Sequence, residues 1–216
     1  MRHAETVANA SGATGGEGDL EDHDSLTALG RKQIEALKNF LVEKDIIPDV
    51  IMVSPTWRTQ KTIEPFLLAA NVTAEIWVEL NECCGREPTG EALPTERPEQ
   101  RWKMPIEIVA ENTVFRDEQD DSYWWPGTYE EGLFMVMTAR DRILEFYGRS
   151  GKTVLIVGHA VNGGILLGLL TGYDMLQDEP ERPFWLRNTG LLLLEQDPVS
   201  GNIEVVNQRV NDPPQE

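Results

Sequence analysis

The chain has 216 residues, 40% of them hydrophobic, and a formal charge of −18. That is the size of one large domain with enough apolar content for its own core, and the acidity excludes nucleic acid and anionic membranes as partners, because both demand basic surface to displace counterions. No apolar run approaches the roughly 20 residues needed to cross a bilayer, and the N-terminus lacks the basic and apolar regions of a signal peptide, so a cytoplasmic protein is expected.

In chain order, an Arg-His pair opens the sequence at Arg2 and His3, and residues 10–24, rich in Gly, Ala, Ser and acids, predict an exposed loop. Thr27 suits an N-cap. Leu29, Ile34, Leu37 and Leu41 fall near helical spacing behind it, predicting a helix over 28–44 that ends before Pro48. The apolar run 49–54, closed by Pro55, predicts a buried strand, followed by a helix over 57–70 in which Pro65 sits. Residues 75–80 predict a second strand and 153–158 a third; Leu191–Leu194 and Ile203–Val206 add two more. Leu133, Val136, Met137, Leu144 and Tyr147 share one stripe of a helix over 129–147, with Gly148 placed to end it. Another helix spans 161–170 and stops at Gly172. Strands alternating with helices give the fold class: a three-layer α/β/α sandwich with a mostly parallel central sheet. The stretch 85–128, rich in Trp and Pro and without a clean period, breaks the rhythm and is expected to be a cap or insertion within a single domain spanning 1–216.

In an open α/β sheet, ligand-binding groups gather at the carboxyl ends of strands. His159 ends one predicted strand, and Ser54 with Arg58 follows another. Phosphoryl transfer needs a nucleophile, donors for the equatorial oxygens and an acid for the leaving oxygen. A neutral imidazole is a competent nucleophile near neutral pH, and guanidinium forks match phosphate oxygens as lysine does not. His3 and His159 supply imidazoles, Arg2 and Arg58 guanidiniums, and Glu82 a carboxyl. In so acidic a chain, arginines clustered by motif carry added weight.

Two other phosphate motifs fail. Ser150-Gly151-Lys152-Thr153 ends like a P-loop, but Phe146 occupies the position of its required first glycine. The Gly-rich loop 12–18 follows no predicted strand and does not keep the dinucleotide fingerprint. No metal or other cofactor is expected, because three histidines without a spaced Cys or His pair give zinc little to build on. The only cysteines, Cys83 and Cys84, are adjacent and cannot form an ordinary unstrained bridge with each other, so no disulfide framework is expected.

The blocks Arg2-His3-Ala4-Glu5-Thr6-Val7-Ala8-Asn9, Asp24 to Gln33, Ser54 to Thr62, Gly158-His159-Ala160 and Asn188-Thr189-Gly190 together resemble, in order, those of the histidine phosphatase superfamily, also called phosphoglycerate-mutase-like. The resemblance implies that His3 is the residue phosphorylated in catalysis, that Arg2, Arg58 and His159 form the phosphate pocket, and that Asn9 adds a donor at its rim. It also implies a carboxylic acid after the second strand: Leu80-Asn81-Glu82 looks like that block, with Glu79 as the rival, while the spacing to Gly85 departs from the common bacterial pattern and Pro88, Thr89 and Gly90 look like a variant block. In that family the Arg-His pair ends the first strand of the sheet. Here only Met1 precedes Arg2, so the expectation is that residues lie upstream, because a missing inner strand would leave backbone groups unpaired.

The implied activity is a metal-independent phosphatase acting on a small phosphorylated metabolite through a phosphohistidine, with inorganic phosphate as product and no nucleic-acid or membrane partner. A phosphoglycerate-mutase-type phosphotransferase is the alternative, although Cys83, Cys84 and Glu87 do not supply the basic and aromatic residues that mutases carry after the acid. A ligand-binding or non-phosphoryl enzyme on the same scaffold is the third reading. Within the insertion, Trp102, Tyr123, Trp124 and Trp125 either wall the leaving-group side or pack the insertion onto the sheet. Arg86, Arg97, Arg101, Lys103 and Arg116 either meet a second anionic group or are solvated.

Overall fold

A computed structural model describes residues 1–11, 25–83, 103–117, 122–124, 126, 129–173, 186–207 and 210–214. Its helices are α1 (Val7–Ser11), α2 (Ala28–Glu43), α3 (Trp57–Ala70), α4 (Tyr129–Tyr147) and α5 (Val161–Thr171). Its strands are β1 (Val50–Val53), β2 (Ala74–Ile76), β3 (Lys103–Pro105), β4 (Thr113–Phe115), β5 (Ser122–Trp124), β6 (Val154–Val157), β7 (Leu193–Gln196) and β8 (Ile203–Asn207). The central sheet runs β4-β2-β1-β6 with every pairing parallel, and β1 and β6 align Val50 with Val154 and Val53 with Val157.

Strand alternation divides the core. Met52, with Val50, Val154 and Ile156, faces α4 and α5 and packs with Leu133, Val136, Ala139 and Ile165. Ile51, Val53 and Val157 face the other way, against Leu37 and Leu41 of α2 and Ile63, Phe66 and Leu67 of α3. The expected three layers are therefore present. α2 starts where Thr27 accepts a hydrogen bond from the Gly30 amide, and α5 stops at Gly172, whose φ of 71° is left-handed.

Three expectations change. Residues 75–80 are not one strand: β2 ends at Ile76, and a single 3₁₀ turn over Val78–Leu80 redirects the chain. The reason lies in the neighbour, since Trp77 N still donates to Val53 O (2.9 Å) but β1 ends there, and Leu80 N folds back to Trp77 O (3.1 Å). The 85–128 stretch is not wholly outside the sheet, because β4 pairs in parallel with β2 as its edge strand; β3 and β5 form a separate antiparallel pair. The late strands β7 and β8 form a hairpin of their own beyond the central sheet, its turn tied by Asp197, which accepts from the amides of Val199 (2.9 Å) and Ser200 (2.6 Å). The loop expected over 10–24 begins with α1; residues 12–24 lie outside the described part.

Met1 to His3 run alongside β6. Met1 N donates to Ile156 O (2.8 Å), Gly158 N to Met1 O (2.9 Å), and His3 N to Gly158 O (3.0 Å). Burial pushes the Met1 ammonium down to about 5. A cleft of about 580 Å³, lined by Met1, Val154, Ile156, Leu166, Leu191 and Leu193 among others, lies between β6 and the β7–β8 hairpin. Arg149, Lys152 and Glu195 also line it, and neither histidine described next does. No helix among the described residues is long and apolar enough to cross a membrane.

Candidate active site

The carboxyl ends of β1 and β6, the Met1–His3 segment and the turn after β2 meet at one point. His3 is 3% exposed and His159 is completely buried, with ring centroids 5.3 Å apart and planes at 64°. Several backbone ties fix His3: Ala4 N donates to Thr62 Oγ1 (2.9 Å), Thr189 N to Arg2 O (3.0 Å), and Asn188 Nδ2 to His3 O (2.9 Å). Thr62 Oγ1 in turn donates to Arg58 O (2.6 Å), so one hydroxyl aligns the strand end with α3.

Hydrogen bonding sets the two tautomers. His3 Nδ1 lies 2.7 Å from Ala4 O, and a carbonyl oxygen only accepts, so Nδ1 carries the proton and Nε2 keeps the lone pair. His159 is the reverse. Its Nδ1 faces Arg58 Nη2 (3.2 Å) and Nε (3.4 Å), and a guanidinium only donates, so Nδ1 is the bare nitrogen. Its Nε2 then donates to Ser54 Oγ at 2.8 Å. Burial, followed by the charges of Arg58 and Arg2, holds His3 well below the ordinary imidazole value. Burial and Arg58, with smaller effects of His3 and Arg2, do the same for His159.

Arg2 donates through Nη1 to Leu186 O (3.2 Å), and burial lowers it against the raising effect of Glu82. Arg58 rises from the first turn of α3. Asn9, on α1, is exposed at the rim, where its Oδ1 accepts from Thr6 N and Asn188 Nδ2, both at 3.2 Å.

The two carboxyl candidates separate cleanly. Glu79 pairs with Arg142 of α4, which also holds Asp117 (2.7 Å), and so is committed to the helix side. Glu82 enters the pocket: its Oε2 is 4.0 Å from His159 Nδ1, while Oε1 accepts from the amides of Asn162 (3.0 Å) and Cys83 (3.1 Å). Its side chain is 21% exposed, and burial raises its pKa despite those amides and the two arginines. With Oε1 taken by donors, a proton on this carboxyl belongs on Oε2, on the pocket side.

The structure thus brings together Arg2, His3, Arg58, Glu82 and His159, with Asn9 outside them at the rim. Sequence reasoning gave no role to Thr62, Asn162 or Asn188, and placed Ser54 only at a strand end beside Arg58. Ser54, Thr62 and Asn188 stand inside motif blocks, which was a usable signal; Asn162 stands in an apolar helix and offered none. Cys83 is disulfide-bonded, contrary to the expectation for the adjacent cysteines, and Cys84 lies outside the described residues. Arg116 meets no second anion site: it stacks 4.4 Å over Trp77 and 4.1 Å over Phe146 and pairs with Glu75 (3.2 Å). Trp102, Trp125, Arg86, Arg97 and Arg101, with Gly85, Glu87, Pro88, Thr89 and Gly90, lie outside the described residues, and Lys103, Tyr123 and Trp124 are described only as members of the β3–β5 pair.

The family model of the histidine phosphatase superfamily (branch 1) matches residues 1–209. No curated protein sequence matches the chain. Among solved structures, the α-ribazole phosphatase of Shigella flexneri superposes with a TM-score of 0.64 at 18% identity, covering 100% of this chain and 97% of the other. The ecdysone phosphate phosphatase of Bombyx mori, solved with tungstate, gives 0.58 at 17%, covering 100% and 93%. A mycobacterial glucosyl-3-phosphoglycerate phosphatase, solved with vanadate, gives 0.59 at 14%, covering 97% and 96%. At these identities the likeness is one of fold.

Proposed function

The chain belongs to the histidine phosphatase superfamily, and from that premise we propose that it is a metal-independent phosphatase that hydrolyses a small phosphorylated metabolite through a phosphohistidine on His3. The observation that carries this reading is the tautomer of His3: with Nδ1–H committed to Ala4 O, the lone pair is on Nε2, the nitrogen left for attack. In the first step Nε2 forms a bond to phosphorus as the bond to the leaving oxygen breaks, and the proton on Glu82 Oε2 passes to that oxygen. In the second, water attacks phosphorus, the N–P bond breaks, and Glu82 takes the proton of the water. Arg2 and Arg58 pair with the equatorial oxygens in both steps, and Asn9 contributes from the rim. His159 Nδ1, now facing Arg58, is placed to meet the phosphoryl group once that guanidinium turns to it.

The depressed pKa of His3 suits this role, because the nucleophile stays neutral through the physiological range. The raised pKa of Glu82 suits a general acid. Phosphatases solved with tungstate and vanadate share the fold, which supports an anion pocket of this kind.

A panel of phosphate esters assayed for free phosphate, with the His3→Ala variant alongside, tests the proposal. Release by the wild type and none by the variant is expected. A mutase would move the phosphoryl group without releasing it. Tight ligand binding with no turnover of any ester would favour the non-catalytic scaffold.

A further inference from the structure

Helix α5 begins directly after His159, and its first turn holds Asn162, 1% exposed. The backbone amide of Asn162 is an orphan donor of that turn, and it is answered by Glu82 Oε1 at 3.0 Å. The side chain of Asn162 points the same way. Its Nδ2 donates to Asn81 O at 2.8 Å and faces Glu79 O at 3.4 Å. Asn81 O belongs to the peptide group that carries Glu82, so a single residue grips the carboxyl with its backbone and the peptide behind that carboxyl with its side chain.

The grip matters because the segment that carries this acid lies outside the sheet. Glu82 follows a 3₁₀ turn rather than the rigid end of a strand, since β2 stops at Ile76. Cys83 N is the other amide at Oε1, and it moves with the same loop (3.1 Å). Asn162 is anchored elsewhere, in the helix whose preceding residues carry His159. It therefore fixes the acid relative to the second imidazole, with Oε2 held 4.0 Å from His159 Nδ1. A rotation of the Asn81–Glu82 peptide would exchange the carboxyl oxygens or carry Oε2 out of line with a leaving oxygen.

We infer that Asn162 is a positioning residue for proton donation to the leaving group, acting through Glu82. The inference rests on the reading of Glu82 as the acid. It touches no substrate atom and has no part in the attack by His3. Its loss should therefore be felt in proportion to how much the leaving oxygen needs a proton.

The test is a ratio of kcat/KM for an alkyl phosphate, whose alkoxide must be protonated, to that for p-nitrophenyl phosphate, whose phenolate leaves unaided. Both are measured on the same preparation, so the folded fraction cancels and a destabilised variant is still informative. Asn162→Ala removes the side-chain grip; Asn162→Asp keeps the volume but sets an oxygen against two carbonyls. Each should lower the ratio tenfold or more, and should flatten the alkaline fall of the alkyl phosphate profile. Equal loss on both substrates, or no change in the ratio, overturns the inference. Glu82→Gln is run beside them. If it lowers the ratio and the Asn162 variants do not, the inference fails while the acid stands; if Glu82→Gln leaves the ratio unchanged, the assignment of the acid fails and the inference with it.

Discussion

His3 and His159 are the same side chain given opposite tautomers by their neighbours: a carbonyl at Nδ1 in one, a guanidinium at Nδ1 in the other. That division cannot be read from a sequence, because it depends on which backbone oxygen or arginine the fold brings within 3.5 Å. What was legible is the grouping: Arg2, His3, Arg58 and His159 stand in motif blocks, and the fold brings them together. The choice between Glu79 and Glu82 was not, since it turns on Arg142, a residue 63 positions after Glu79 in another helix, which claims Glu79. Arg58→Lys should lower kcat/KM by about 10²-fold or more, because a point charge replaces a planar fork that meets His159 and, in the proposed mechanism, an equatorial oxygen. Steady-state kinetics on the best ester found will show it; near-wild-type activity would mean that charge alone suffices. For the carboxyl, the sign of the pH dependence follows from its proposed role as an acid, and burial moves the window upward. In the proposed mechanism the acid form is needed, so turnover of an alkyl phosphate should fall as pH rises through the raised pKa, and Glu82→Gln should be low at every pH.

Among the elements, the helices were the most legible, because α2, α3 and α4 each bury a periodic stripe and α5 is an apolar run closed by Gly172. β4 was missed because three residues cannot show a period, and its place beside β2 is set by a distant partner. The junction of α2 with the segment that carries His3 is a joint that sequence hinted at only as an N-cap. Thr27 Oγ1 accepts from Gly30 N (2.9 Å) and also donates to Glu5 Oε1 (2.7 Å), while Thr27 N donates to Glu5 O (3.2 Å). Gly30 is there for room: a Cβ would sit 2.1 Å from Glu5 O. Thr27→Ala should cost about 1 kcal/mol, the usual worth of a cap. Gly30→Ala should cost more, about 2 kcal/mol, and should also lower activity, since relief of the clash moves the chain two residues from His3. Urea denaturation of both variants tests the order; a neutral Gly30→Ala would mean that the segment gives way freely.

At the scale of the whole molecule, two imidazoles buried neutral leave a mark on stability. Their folded pKa values lie well below the ordinary 6.5, so between the two values the unfolded chain binds more protons. Stability should therefore fall on acidification below pH 6.5, by about 1.4 kcal/mol per pH unit for each histidine. Glu82 opposes this with one group, because a raised carboxyl stabilises at low pH and loses that advantage as pH rises. Urea midpoints measured in about 0.5 M salt, which screens the repulsion of so acidic a chain, should be lower at pH 5.5 than at pH 7.5, and equal midpoints would argue against neutral burial. The architecture at this scale followed from alternating helices and strands, whereas the separate β7–β8 hairpin did not, since apolar strands look alike whether they join the main sheet or not. The central claim is the phosphohistidine. Rapid acid-free quenching of the enzyme with a ³²P-labelled ester, followed by peptide mapping, should find alkali-stable, acid-labile label on the peptide carrying His3 and none in His3→Ala. Label that persists in His3→Ala, or rapid hydrolysis by that variant, would contradict it.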